Sequence, residues 1–98
     1  MIDPERCTTM ADVRAAIDEL DAEIVALLGK RFRFVEAAAR VKQSQAEVRD
    51  EHRISEVIER VRKLARDAGA PEDLIGRFYE QMIETAITIE LQHFDTEK

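Results

Sequence analysis

Apolar side chains recur at Val13, Ile17, Leu20, Ile24 and Leu27, in alternating steps of four and three that place them along one face of an α-helix. The stretch from Thr9 to Gln45 contains no proline, so it predicts a single helix of about 35 residues, roughly 50 Å long. Thr9 and Asp12 have the spacing of a capping box in its aspartate form, and Asp12 falls in the first turn, where the helix dipole favours an anion. Gly29, inside the helix, costs roughly 1 kcal/mol relative to alanine and predicts the close approach of another helix. Asp18, Asp21 and Glu23 sit off the apolar stripe and read as a solvated face.

The stripe then breaks its own rule. Continuing the spacing gives Arg31, Val35, Ala38 and Lys42, so two cations occupy positions that ask for apolar groups. Burying an unpaired cation costs about several kcal/mol. Snorkelling or a structural ion pair accounts for one such residue; two on one face favour an anion site. Arg31 and Lys42 differ by only about 20° in direction and lie about 16 Å apart along the axis, whereas Arg14 is about 25 Å from Arg31 and points about 100° aside. For Arg14 to serve the same small ligand, it must come from another chain.

Composition excludes several classes of function. The chain has 98 residues, a formal charge of -6 and a pI near 4.9, which predicts one domain with a thin core and a tendency to associate. No basic face gathers its Lys and Arg, so nucleic acid is not an expected partner. Cys7 is the single cysteine, and the two histidines, His52 and His93, are far apart; neither a disulfide nor a metal site is expected. MIDPER lacks an apolar leader segment and no run approaches a membrane span, so the expected location is the cytoplasm.

The rest of the chain punctuates itself. Met1 to Cys7 reads as a polar, extended or loosely packed lead. The polar QSQAEVR segment is a loop, and Asp50 is an N-cap for a second helix whose stripe is Ile54, Val57, Val61, Leu64 and Ala68, with Arg53 in its first turn. Gly69 ends that helix, and Pro71 with Glu72 and Asp73 opens a third, proline at the first helical position. The third stripe runs Ile75, Phe78, Tyr79, Met82, Ile83, Ala86 and then Glu90. A carboxyl among apolar neighbours is favoured in its neutral, hydrogen-bond-donating form, or else is the buried partner of an Arg or Lys. His93 and the FDTEK tail read as solvated. The fold class is therefore all-α: three helices, the first very long. The two shorter helices cannot cover the whole long stripe, so a second copy is expected in an intertwined homodimer.

No Ser or Cys nucleophile with a base, no glycine-rich phosphate loop and no metal set is visible. Cations with one acid in an apolar pocket suit a reaction that needs orientation and charge stabilisation, such as a pericyclic rearrangement, without a cofactor. At this level the chain resembles a known family. Arg14 in ADVRAAIDELD, Arg31 in LLGKRFRFV, Lys42 in AARVK and Arg53 in VRDEHR look like the all-helical (type II) chorismate mutases over almost the whole chain. The opening ERCTTMADVRAAID is most similar to the branch containing the isochorismate-pyruvate lyase of salicylate and siderophore synthesis, which retains mutase activity.

The resemblance implies roles. Arg14 from a partner chain and Arg31 would clamp the carboxylates of a small dicarboxylate substrate. Lys42 would contact its ether oxygen and a carboxylate, Glu90 would donate to that oxygen, and Arg53 would add positive charge. Asp50, Ile54 and Ala86 would line the substrate. Glu90 stands where the lyase and many bacterial mutases carry Gln, although other mutases of the fold carry Glu, and this favours chorismate rearrangement. Ile54 stands where some mutases place a Glu for the ring hydroxyl, which is lyase-like. A 4-amino-4-deoxychorismate mutase is a further enzymatic alternative; the non-enzymatic one is a helical dimerisation module, against which the stripe cations argue.

Overall fold

A computed structural model describes residues 2–96. Three α-helices follow one another: α1 (Met10–Val41), α2 (Glu51–Ala68) and α3 (Glu72–Thr96). No strand occurs among the described residues. The chain divides into two compact units with the boundary between Phe34 and Val35. No described helix is long and apolar enough to cross a membrane.

The first unit opens with a 3-10 turn at Pro4–Arg6, closed by Arg6 N donating to Asp3 O at 2.9 Å, in the exposed lead that the sequence reads as extended or loosely packed. The first part of α1 follows, and its start is the predicted capping box. Asp12 N donates to Thr9 Oγ1 at 3.1 Å, and Thr9 N donates back to Asp12 Oδ2 at 3.3 Å. Thr8 N also donates to Asp12 Oδ2, at 3.1 Å, and this bond is the main reason the carboxyl is held below its usual range. None of the described residues up to Phe34 is buried. The predicted stripe is exposed: Ile17, Leu20, Ile24 and Leu27 are between 42% and 64% accessible. Among the described residues, a methyl group at Gly29 would meet nothing within 4 Å.

Among the described residues, the buried ones all belong to the second unit: Ala39, Val48, Val57, Val61, Ala65, Gly76, Ala86, Ile87 and Glu90. Here α1 ends earlier than predicted, at Val41, and Lys42 N makes the last helical bond, to Ala38 O at 2.9 Å. The reason is local competition. The Glu47 carboxylate accepts from the backbone N–H groups of Gln43 and Ser44, as the far half of a capping box on a second 3-10 turn, Gln45–Glu47. A side chain that captures those donors offers the backbone an alternative to another helical turn.

Asp50 caps α2 as predicted, accepting from Arg53 N at 3.0 Å. Gly69, at φ 74°, ends α2. Ala70 N donates to Ala65 O at 2.8 Å and Gly69 N to Arg66 O at 3.2 Å, the paired bonds of a Schellman closure, which require the left-handed conformation that glycine adopts without strain. Pro71 lies just before α3, its carbonyl accepting from Ile75 N at 3.1 Å, one position earlier than predicted.

The α2–α3 pair is the main helix contact. Val57, Val61 and Ala65 form the buried face of α2, while Leu64 and Ala68 from the predicted stripe are exposed. On α3 the buried positions are Gly76, Ala86, Ile87 and Glu90, and Phe78 is exposed. Gly76 makes room for Arg62: a methyl group there would lie 2.9 Å from Nη1 and 3.4 Å from Cγ of that side chain. Arg62 thereby reaches Asp73 at 2.5 Å and Glu72 at 3.4 Å. The Asp73 hydrogen bond is the main cause of the raised Arg62 pKa. The end of α3 departs from the solvated tail expected. His93 and Phe94 are half-buried with ring centroids 5.6 Å apart, edge to face, and Asp95 accepts from Gln45 Nε2 at 3.2 Å. Glu97 and Lys98 of that tail lie outside the described residues.

Candidate active site

Lys42 follows directly on the last residue of α1, where the Ala38 bond fixes its backbone. Its ammonium donates to Oε2 of Glu90 at 2.8 Å and stands 3.5 Å from the carbonyl of Val48, a longer and weaker contact. Glu90 is 5% exposed, and the Lys42 side chain retains 27% of its exposure. Of the two readings open for Glu90, the structure shows the ion pair with a lysine. The pair is asymmetric in burial: the acid is enclosed, while the ammonium keeps a face toward solvent and toward anything that binds beside it.

Lys42 also lines an open cleft of about 500 Å³ with Ala46, Glu47, Arg49, Asp50 and Glu51. Asp50 is therefore at the cleft as well as capping α2, so its carboxylate is partly committed to the Arg53 backbone. Ala86 is buried and Ile54 half-buried, both in the second unit. Arg53 donates through Nη1 to Glu56 Oε1 at 2.6 Å, one turn along the same helix, and is not among the cleft residues. Arg14 and Arg31 belong to the first unit, Arg14 exposed and Arg31 half-buried. Seventeen residues of α1 separate them, about 25 Å along the axis, so they cannot both grip one small ligand from the same chain.

Sequence reasoning passed over Arg49. It donates through Nη2 and Nη1 to Glu84 Oε1 and Oε2 at 2.8 and 3.2 Å, and through Nε to Glu51 Oε1 at 2.7 Å. The Glu84 hydrogen bonds are the largest cause raising the Arg49 pKa, and they hold the Glu84 carboxyl below its usual range. No local pattern announces a pair 35 residues apart. Among the described residues no group of three or more His, Cys, Asp and Glu side chains is placed to hold a metal.

Residues 13–91 match the family of type II chorismate mutases. The chain belongs to that family. It is also similar to the isochorismate pyruvate lyase of Pseudomonas aeruginosa, with 32% identity over 91 residues that cover 93% of this chain and 90% of the relative. The type II chorismate mutase family is all-helical, in agreement with three helices of which the N-terminal one is the longest.

Proposed function

We propose that the protein is an enzyme acting on chorismate or a close analogue, and that its reaction is the rearrangement of chorismate to prephenate. One observation carries this reading: in a chain of this family, an enclosed carboxyl, Glu90, holds the ammonium of Lys42 at 2.8 Å beside an open cleft. In the rearrangement the carbon–oxygen bond of the enol ether breaks as a carbon–carbon bond forms, and negative charge grows on the ether oxygen. A preorganised ammonium at that oxygen stabilises the transition state more than the ground state. Glu90 fixes where that ammonium stands. Arg31, with Arg14 of a second copy, clamps the two carboxylates and folds the enolpyruvyl arm over the ring. Arg53 adds positive charge once released from Glu56, and Asp50, Ile54 and Ala86 shape the ring side of the pocket. The exposed stripe Ile17, Leu20, Ile24 and Leu27 supports a homodimer, because four large apolar side chains on one face call for a cover.

A second reading, cleavage of isochorismate to salicylate and pyruvate, is supported by the relative named for that activity, which aligns over 90% of its own length. Ile54 also supports it, since it offers no carboxylate to a ring hydroxyl. Incubation with each substrate and chromatographic identification of products decides between the two. Prephenate from chorismate with no salicylate from isochorismate is the expected result. Turnover of isochorismate alone would replace the mutase reading with the lyase one.

A further inference from the structure

The connection between α1 and α2 begins at Lys42 and ends at Asp50. Its backbone is bonded mainly to itself: Glu47 accepts from Gln43 and Ser44, Glu47 N donates to Ser44 O at 3.2 Å, and Val48 N donates to Gln45 O at 3.1 Å. Three side chains tie it to the rest of the second unit: Gln45, which donates to Asp95 on α3 at 3.2 Å, and, at the far end, Val48 and Arg49. Val48 is buried at 4% exposure, and Arg49 grips both carboxylate oxygens of Glu84 on α3. An isolated surface ion pair contributes little, but a two-pronged arginine–carboxylate contact sets orientation as well as distance. The carbonyl facing the Lys42 ammonium is that of Val48, the residue next to Arg49. The other group facing it, Glu90, lies six residues after Glu84 on the same helix, about 9 Å further along the axis. Both points that locate the ammonium are thus referred to α3, one directly and one through Arg49.

We propose that Arg49 is a positioning residue for Lys42: by bracing the α1–α2 connection on Glu84 it holds the Val48 carbonyl, and with it the Lys42 ammonium, opposite Glu90. Each of the three guanidinium nitrogens of Arg49 donates to Glu84 or Glu51, which sets its side chain between the connection and α3. The inference rests on the reading of Lys42 as the group that stabilises the developing charge.

The test compares wild type, Arg49→Ala, Glu84→Ala, Lys42→Ala and Arg49→Ala/Lys42→Ala, by kinetics on chorismate and isochorismate and by amide hydrogen exchange. Arg49→Ala and Glu84→Ala should each lower kcat roughly 10- to 100-fold while KM moves less than about threefold, the signature of a displaced group acting in the transition state. In the Lys42→Ala background the same arginine substitution should cost less than about twofold, because the residue it positions is gone. Exchange at the Gln43, Ser44, Glu47 and Val48 amides should quicken about tenfold in Arg49→Ala, through local opening of the connection. An equal loss of kcat with and without Lys42 overturns the proposal, and so does unchanged exchange. Should wild type turn over neither substrate, the proposed function fails on its own terms and exchange alone judges the brace: faster exchange upholds it and unchanged exchange removes it.

Discussion

Lys42 Nζ and Glu90 Oε2 stand 2.8 Å apart although 48 residues separate them in sequence. The contact joins the end of α1 to the last third of α3, and its two partners are unequally sheltered, with 27% side-chain exposure for the lysine and 7% for the acid. Removing either partner therefore leaves different residues of the problem behind.

Lys42→Ala strands an enclosed carboxylate and should cost about 2–3 kcal/mol of stability, whereas Glu90→Ala leaves an ammonium that can turn to water and should cost about 1 kcal/mol or less. Urea titrations of the two variants and of the double variant measure both the order and the coupling. Equal losses would mean that burial does not distinguish the partners.

Turnover should respond differently from stability. Loss of Lys42 or of Arg31 to alanine should lower kcat/KM by at least about 10²- to 10³-fold, the usual effect of deleting a preorganised donor. Glu90→Gln keeps an acceptor for Lys42 and a permanent N–H donor, so it should retain more activity than Glu90→Ala. Near-normal rates in Arg31→Ala and Lys42→Ala together would dismiss this site.

Arg14 and Arg31 can be tested as residues of two chains meeting in one site. When Arg14→Ala and Arg31→Ala subunits are mixed and exchanged, about half the dimers are mixed and one of their two sites is intact, so roughly a quarter of wild-type activity should return. Mass spectrometry of differently tagged chains verifies the exchange. Exchange without recovered activity would place Arg14 outside the site.

Acid should loosen the start of α1. The Asp12 carboxyl sits below its usual range because Thr8 N, then the Thr9 groups, donate to it. A depressed folded-state value means that the cap contributes above the ordinary aspartate range and that its contribution is lost as pH falls through the folded value. Amide chemical shifts of Thr8 and Thr9 followed by NMR should move in that acid window in wild type and stay still in Asp12→Ala. A transition shifted above the ordinary aspartate range would contradict the sign.

Features written within four residues of one another are legible in the sequence alone. Thr9 with Asp12, Asp50 before α2 and Gly69 after it act on their own neighbours, so residue type and spacing suffice to place them. The break of the long stripe at Lys42 was legible too, since a cation on an apolar face needs a partner. Which partner it takes was not, because Glu90 arrives through the packing of α3. The end of α1 was placed about four residues late because the pull of Glu47 on Gln43 and Ser44 has no hydrophobic signal. Arg49 with Glu84, and Gly76 beneath Arg62, depend on which helices meet; neither leaves a trace in periodicity.

The Schellman closure at Gly69 has a kinetic consequence. It turns α2 back into α3 over three residues, and the ion pairs Arg62 makes with Glu72 and Asp73 span only ten and eleven residues. Contacts so near in sequence form early, because little chain entropy is lost in closing them, whereas the 48-residue span to Glu90 closes late. Lys42 thus meets Glu90 only after the helical hairpin has nucleated. Arg62→Ala should slow refolding, while Lys42→Ala should leave the refolding rate unchanged and speed unfolding, two limbs that stopped-flow chevrons resolve.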